Sequence, residues 1–380
     1  MRRPLLAALG LLAVLTGCSP DPGPDTAAPE RTATSGRASG ESPKASASRE
    51  AAVGDRAGTL LVADFGADTV TFVDPDRGAT GSVRVGTAPY GLVVGSDGRA
   101  WVATAQGVAV VDTDKRERLA LIPYTTDTGP VTTGEYRGGG MGIALSDDGG
   151  HVYVGVNVPG GRGTLEVVDT EAYDVVDTAP VGRRPFDVDV SPDGRTVYTT
   201  DHDSFSVTAV DTRTMRPRTF EVAPYGTEGG LGSWLKPHYA AVRPSDGRLL
   251  LPFEGERLAV LDPDSGDVSV ERMTADTHQH GVTATPDGTL YVVGTGPIDP
   301  SEDRGPSLTV RAPSGDERVI PLEGPHESVA VSLDGGTAYV GGGFTRDGYW
   351  DGVTVVDLES GGTRRVEAGS RPLGIAVLPR

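Results

Sequence analysis

The chain has 380 residues, of which 54 are Gly, 29 are Pro and only one is Cys. This composition disfavours a helical bundle, because Gly and Pro are the poorest helix formers. Asp and Glu outnumber Lys and Arg by 53 to 34, which gives a formal charge of -19. A surface of this charge repels nucleic acid and anionic lipid headgroups, so we expect neither as a direct binding partner.

Residues 1–17 have the pattern of an export signal. Arg2 and Arg3 precede an apolar run from Leu5 to Leu15, which is too short to span a bilayer as a helix but has the length of a secretory signal. The run leads through Leu-Thr-Gly to Cys18, which resembles the lipobox of bacterial lipoproteins. This resemblance implies cleavage before Cys18, lipidation of Cys18, and an extracytoplasmic protein that is held to the cell membrane only by its lipid.

Residues 18–57 are expected to form a disordered linker behind the lipidated cysteine. From Ser19 to Ala57 there is no aromatic residue, and Val53 is the only large aliphatic one. Such a segment cannot bury enough apolar surface to fold. We therefore place the folded domain at residues 58–380.

From residue 58 onward the sequence repeats itself. Six times, an alternating apolar segment ends in a turn in which Asp directly precedes Gly. A short apolar segment follows each turn. The glycines of these turns are Gly98, Gly149, Gly194, Gly247, Gly288 and Gly335. A third apolar segment closes on Asp in six repeats and on Arg in one, at Asp74, Asp112, Asp169, Asp211, Asp262, Asp357 and Arg311.

Apolar alternation with period two, bounded by Gly, Asp and Pro, predicts antiparallel strands. Four strands in 40 to 50 residues is typical of a propeller blade, and there are seven third segments. The sequence thus predicts an all-β fold, a seven-bladed β-propeller of four-stranded antiparallel blades. It opens on a second-type strand, Leu60–Ala63, and ends on a first-type strand, Leu373–Val377, so we expect the two ends to complete one blade.

Segments such as Arg184–Arg195, followed by Val197–Thr200 and Val207–Thr212, resemble the YVTN-type seven-bladed propeller repeat. The resemblance covers nearly all of residues 58–380. It implies the fold but says little about activity, because propellers of this type include binders, lactonases, lyases and metal proteins.

Five of the six histidines are expected on one face of the propeller. In an antiparallel blade, the start of strand 1 and the loop between strands 2 and 3 lie on the face opposite to the Asp-Gly turns. The histidines at these positions are His202, His238, His278, His280 and His326, whereas His151 follows an Asp-Gly turn. Four long insertions fall on the same face as the five histidines and carry aromatic and acidic residues, typical of a lid or of a surface for a protein partner; they are residues 124–139, 223–236, 295–306 and 342–352.

Alignment of the seven first strands places one residue per blade at the same level. These residues, which we call the aligned ring, are Tyr90, Met141, Phe186, His238, His280, Glu327 and Leu373. First strands line the channel of a propeller, so we expect the aligned ring to converge at the channel mouth. His326 is offset from its aligned position by one residue, so strand alternation can turn it away, and His326 and Glu327 compete for the same role.

Imidazoles together with a carboxylate match the ligand sets of Zn(II), and also of Cu(II), Ni(II) or Fe(II). We therefore predict a metal site, with zinc as the expected ion. The candidate ligands are His238, His280, Glu327, His326, His202, His278 and Asp201.

Three functions fit these features. An exported, lipid-anchored acidic propeller with a histidine-rich face is similar to the extracytoplasmic zinc metallochaperones, and this resemblance implies a monomeric zinc carrier that is not an enzyme and that hands metal to the solute-binding protein of an ABC uptake system. Pro237-His238 and Pro325-His326 resemble lactonase-type propellers, and Pro89-Tyr90-Gly91 resembles the streptogramin lyase repeat. In such an enzyme His238 or His280 is the general base, and Glu327 or a metal polarises a lactone carbonyl. The third alternative is an interaction module without metal.

Overall fold

The computed structural model describes residues 58–222, 236–253, 255–277, 279–296, 305–342 and 350–378. These residues form seven sheets of four antiparallel strands each. The first strands of successive sheets contact one another in cyclic order. The predicted seven-bladed β-propeller is therefore confirmed. None of the helical structure within these ranges is long and apolar enough to cross a membrane.

The strands follow the chain from blade to blade. Blade 1 contains β1 Leu60–Asp64, β2 Thr69–Asp74 and β3 Gly78–Arg84, and blade 2 contains β4 Leu92–Val94, β5 Arg99–Ala103, β6 Gly107–Asp112 and β7 Glu117–Pro123. Blade 3 contains β8 Gly139–Leu145, β9 His151–Asn157, β10 Thr164–Asp169 and β11 Asp174–Pro180. Blade 4 contains β12 Pro185–Val190, β13 Thr196–Asp201, β14 Ser206–Asp211 and β15 Pro217–Glu221.

The remaining blades keep the same order. Blade 5 contains β16 Ala241–Val242, β17 Leu249–Phe253, β18 Gly255–Leu261 and β19 Val268–Thr277. Blade 6 contains β20 Gln279–Ala284, β21 Leu290–Gly294, β22 Ser307–Arg311 and β23 Glu317–Pro321. Blade 7 contains β24 Ser328–Val331, β25 Thr337–Gly341, β26 Val353–Asp357 and β27 Thr363–Val366, and the last strand, β28 Pro372–Val377, returns to blade 1.

The ring closes through main-chain hydrogen bonds between its two ends. Strand β28 pairs antiparallel with β1, with Leu60 opposite Val377 and Ala63 opposite Gly374. The predicted completion of one blade by both ends is therefore confirmed. Pairing of this kind removes the exposed sheet edge that an open ring would leave.

The glycines of the Asp-Gly turns and the Asp residues that end the third strands each have a direct structural role. All six glycines of the Asp-Gly turns have positive φ, between 68° and 86°, a region that other residues enter only with strain. The Asp that ends strand 3 caps the following turn, as where Asp169 Oδ1 accepts the N–H groups of Glu171 at 2.9 Å and Ala172 at 2.7 Å. Arg311, at the corresponding position of blade 6, forms ion pairs with Glu271 at 2.6 Å and Glu317 at 2.5 Å.

Arginines on outer strands connect neighbouring blades. Arg218 on β15 donates to the carbonyl oxygens of Pro263 and Asp264 in blade 5. Arg318 on β23 does the same to Leu358 and Glu359 in blade 7. On β27, Arg364 reaches the turn between β2 and β3, where it contacts Pro75 and pairs with Asp76 at 2.7 Å. The last of these contacts lies at the point of ring closure.

At the centre of the ring, the first strands approach each other backbone to backbone. A Cβ atom built on Gly142 would lie 2.5 Å from the main chain of Asp187 in the next blade, and one on Gly281 would lie 2.3 Å from the carbonyl oxygen of Glu327. Gly91 and Gly374 are equally tight against their neighbours. Each of these glycines follows a residue of the aligned ring, so the glycine allows the close approach and fixes the residue before it at the channel.

A buried carboxyl group clamps blade 1. Asp64, at the end of β1, is fully buried, and its Oδ2 accepts the hydroxyls of Thr71 at 2.6 Å and Thr69 at 2.8 Å. Burial raises the pKa of Asp64 to about 7, although both hydroxyl groups act in the opposite direction. The folded protein is therefore more stable when this carboxyl group is protonated.

Replacing Gly142 by Ala is expected to destabilise the ring by about 1 to 3 kcal/mol, as overpacking usually does, because the new methyl group meets the main chain of Asp187. Urea denaturation monitored by circular dichroism measures the change. Gly134→Ala is the matched control, since no atom lies within 4 Å of its Cβ position. Equal stability of the two variants would contradict the close packing of the first strands.

The pKa of Asp64 predicts how stability depends on pH. A folded-state pKa near 7, against about 3.9 in the unfolded chain, stabilises the protein fully below pH 4, and this contribution is lost as the pH rises through 7. The loss is up to about 1.4 kcal/mol per pH unit. Asp64→Asn, with a neutral side chain, should make the melting temperature less dependent on pH between 5 and 8. Glu171→Gln, which neutralises an exposed carboxylate, is the control, and an equal pH dependence in all three proteins would refute the assignment.

Candidate active site at the channel mouth

The seven residues of the aligned ring meet around the channel. Tyr90, Met141, Phe186 and Leu373 share one buried apolar cluster. The ring of Phe186 stacks on His238 with 5.9 Å between centroids, and His238 lies against His280 with 4.2 Å between centroids. The Nδ1 atom of His280 is 3.6 Å from Oε1 of Glu327. The mouth therefore has an apolar half and a polar half, and the polar half consists of His238, His280 and Glu327.

His202 extends the polar half. It lies on a short 3-10 turn, His202–Ser204, directly after β13. Its ring contacts Phe186 and His238, with centroid distances of 4.6 Å and 4.7 Å. Three imidazoles and one carboxyl group thus follow one another in contact, in the order His202, His238, His280 and Glu327.

Asp203 binds the Nδ1 atom of His202. Its Oδ1 lies 2.9 Å from Nδ1 of His202 and 2.8 Å from Nζ of Lys236. Its Oδ2 pairs with Arg184 at 3.0 Å. Sequence reasoning missed Asp203, Lys236 and Arg184, although the adjacency of Asp203 to His202 was a signal.

Asp203 and Glu327, the carboxyl groups at the two ends of this row, have pKa values that are shifted in opposite directions. Partial burial raises the pKa of Asp203, but hydrogen bonds from His202 and Lys236 outweigh burial and hold this pKa well below its usual range. Burial raises the pKa of Glu327 well above its usual value, and nearby Glu135 adds to this effect. Burial also lowers the pKa of His202 to about 4. These effects favour an ionised Asp203, a neutral imidazole at His202 and a protonated carboxyl group at Glu327.

Two tyrosines and one arginine complete the mouth. The hydroxyl groups of Tyr239 and Tyr90 are 3.5 Å apart, and Tyr239 also hydrogen bonds to Glu327. The guanidinium of Arg137 lies 5.9 Å from the ring centre of Tyr90 and donates to the carbonyl oxygens of Ala88 and Gly140. Arg137 belongs to the insertion at 124–139, so this insertion packs on the site. It therefore lies on the predicted face, together with the histidines. Tyr239 was missed, but it stands where four other blades carry Gly.

Two predicted ligands lie in other surroundings. Nε2 of His326 is 2.8 Å from Oγ1 of Thr354, and its ring meets the edge of Trp350. Of the two competing residues, Glu327 is therefore the one beside His280. Asp201 is fully buried and accepts the hydroxyls of Thr208 at 2.6 Å and Thr199 at 2.8 Å, which repeats the clamp of Asp64 inside blade 4.

Three further predictions fall outside the described residues. His278 is one of them, and Cys18 with the rest of residues 1–57 is another. The greater part of the insertions at 223–236, 295–306 and 342–352 is the third.

The donor set of the mouth suits zinc in its chemistry, but its arrangement is not that of a formed metal site. Within the ranges that the structure describes, no three His, Cys, Asp or Glu side chains are grouped to hold one ion. The rings of His238 and His280 are tilted by 32° with 4.2 Å between their centroids, whereas two imidazoles on one metal point their nitrogens at a common centre. Metal binding by these residues requires their rings to rotate.

No family model and no curated protein matches the sequence. Solved structures match in fold. A protein of unknown function from Desulfotomaculum acetoxidans is 12% identical with a TM-score of 0.63, covering 84% of this chain and 99% of that one. Kuenenia stuttgartiensis hydrazine synthase is 19% identical with a TM-score of 0.56, covering 71% and 77%. A catalytically inactive His-to-Ala variant of virginiamycin B lyase from Staphylococcus aureus, with quinupristin, is 13% identical with a TM-score of 0.54, covering 81% and 88%. At these identities, the similarity shows that the chain shares the propeller fold.

Proposed function

We propose that this propeller is a lyase-type enzyme that breaks a carbon–oxygen bond of an ester or lactone at the channel mouth. The observation that supports it is the contact between the imidazole of His280 and the carboxyl group of Glu327, with 3.6 Å between Nδ1 and Oε1. An elimination needs a base that removes a proton from carbon and an acid that protonates the departing oxygen. The carbon that loses the proton and the departing oxygen are both bonded to the same carbon atom. The base and the acid must therefore lie a few ångströms apart.

His280 is the proposed base. Its ring is buried and packs against His238, which holds the imidazole at the mouth. In the proposed step, His280 takes the proton from the carbon next to a carbonyl group. The electron pair of that C–H bond forms a carbon–carbon double bond, and the bond from the neighbouring carbon to oxygen breaks.

Glu327 is the proposed acid. Burial favours its neutral form, so it donates its proton to the departing oxygen and becomes a carboxylate. The proton on His280 then returns to Glu327 once Nδ1 and Oε1 close from 3.6 Å to hydrogen-bond distance, which restores the starting state. Two titratable groups in one site with different environments are the usual basis of such a division of roles.

The apolar half of the mouth forms a packed apolar wall next to the proposed acid and base. Tyr90, Phe186 and Leu373 are almost fully buried beside the polar half. The printed name of one fold neighbour, virginiamycin B lyase, and the inactivity of its His-to-Ala variant give a precedent for a histidine-dependent lyase on a propeller. The expected lipidation at Cys18 would place this enzyme outside the cytoplasm, tethered to the cell membrane.

Substitution at the site tests the proposal. His280→Ala and Glu327→Gln are each expected to lower kcat by about 10²- to 10⁴-fold, the usual contribution of a general acid or base. The substrates to use are quinupristin and methyl 3-acetoxypropanoate, with products analysed by mass spectrometry. Elimination from the cyclic substrate leaves its mass unchanged, whereas hydrolysis adds one water.

His151→Ala is the matched control, because His151 lies after an Asp-Gly turn and contacts Tyr153. It should retain wild-type activity. Turnover that is equal in all variants, or no turnover of either substrate, would exclude the proposed enzyme.

The role of Glu327 as an acid also sets the direction of a pH effect. Activity should fall as the pH rises through the raised pKa of Glu327, because the acid then loses its proton. Glu327→Gln cannot titrate and should show low activity without this alkaline decline. A pH–rate profile of the two proteins with the better substrate makes the comparison, and an unchanged alkaline decline in Glu327→Gln would assign it to another group.

A second candidate function is zinc binding, as expected of a carrier that passes metal to a solute-binding protein. The contact between Nδ1 of His202 and Asp203 favours it, because histidines that bind metal usually donate their other N–H to a carboxylate. His202, His238, His280 and Glu327 would be the ligands after rotation of the rings.

Metal analysis distinguishes the two functions. The full chain, equilibrated with zinc and then dialysed, is expected to keep about one zinc per molecule if it is a carrier. The double variant His238→Ala, His280→Ala should lose this zinc, and His151→Ala should keep it. A wild-type chain without zinc after this treatment would eliminate the carrier.

A further inference from the structure

A charged cluster lies directly behind the histidines of the mouth. Asp203 is its centre, with Lys236 and His202 on Oδ1 and Arg184 contacting Oδ2 at 3.0 Å and Oδ1 at 3.4 Å. The side chains of Asp203, Arg184 and Lys236 are about three-quarters or more buried, with 24%, 19% and 26% exposed. Two cations thus fix one carboxylate in a partly desolvated place.

The chemistry of the carboxylate decides the position of a proton. A carboxylate held by two cations, with Lys236 at 2.8 Å and Arg184 at 3.0 Å, can only accept hydrogen bonds. The atom 2.9 Å from it, Nδ1 of His202, must therefore carry hydrogen. A neutral imidazole has one proton, so Nε2 is then an acceptor, and it points away from Asp203 because the two ring nitrogens face nearly opposite directions.

We propose that Asp203 is a positioning residue that locks His202 in the tautomer with hydrogen on Nδ1 and so presents Nε2 as a fixed acceptor at the channel mouth. Such an acceptor binds a hydroxyl or amide N–H group of the substrate. The inference rests on the proposed function only for the identity of the bound molecule.

Arg184 also connects the charged cluster to the insertion at 124–139. Its guanidinium lies 3.5 Å from the ring centre of Tyr136, and the next residue, Arg137, lines the mouth. Asn157 fixes the same segment by donating to the carbonyl oxygen of Arg137 at 2.8 Å. The charged cluster therefore sets the orientation of His202 and the position of one wall of the mouth together.

The tautomer of His202 is measured directly by NMR. The full chain with ¹⁵N-labelled histidine is observed near pH 7 in long-range ¹H–¹⁵N correlation spectra, which distinguish hydrogen on Nδ1 from hydrogen on Nε2. The variant His202→Gln assigns the signal by its loss. We expect the Nδ1-H tautomer alone in the wild-type protein.

Asp203→Asn should give a mixture of tautomers, because an amide can either donate or accept and because Arg184 and Lys236 compete for its single oxygen. Lys236→Met, which leaves the carboxylate and Arg184 in place, should keep one tautomer. Asp193→Asn, in a turn on the other face, is the control.

Hydrogen on Nε2 in the wild-type protein would overturn the inference, and so would an unchanged tautomer in folded Asp203→Asn. If that variant does not fold, the wild-type spectrum alone decides. A locked tautomer in a chain that cleaves no ester would refute the proposed function but not the positioning role of Asp203.

Discussion

The structure depends on the close approach of the seven first strands around the channel. Where Gly142 and Gly281 face the next blade, its main chain occupies the space of a side chain. This contact brings the strands near enough for one residue per blade to form a continuous ring. The histidines of the mouth consequently touch each other across blade boundaries. The chemistry of the site is a property of the assembled ring and of no single blade.

The site itself is organised by a difference in solvation. Asp203 keeps its charge because hydrogen bonds from His202 and Lys236 outweigh its partial burial, whereas burial and the nearby Glu135 favour the neutral form of Glu327. The imidazoles between them contact a charged carboxylate on one side and a carboxylic acid on the other. The row of histidines therefore has a negatively charged end at Asp203 and a neutral end at Glu327. Both an acid–base enzyme and a metal carrier could use this difference.

The fold was accessible from the sequence because its determinants are local. Turn glycines with positive φ and the capping Asp of strand 3 act within a few residues, so each repeat carries them visibly. The ring of aligned residues followed from the same register. The partners of the histidines did not follow, because Arg184 and Lys236 meet Asp203 only in three dimensions. Asp201 illustrates the same limit, since nothing in the sequence distinguishes a buried clamp from a ligand.

The pairing of β1 with β28 has a consequence for the order of assembly. Each of the other sheets is built from four strands that are consecutive in the chain, so these blades can form locally as synthesis proceeds. Blade 1 is complete only after its inner strand, β28, has been synthesised. Until then β1 has an unpaired edge, and the main-chain contact that completes the ring joins the most distant parts of the described sequence. Closure is therefore a late and non-local event, and a growing chain must protect one open edge for the whole time needed to make the other six blades.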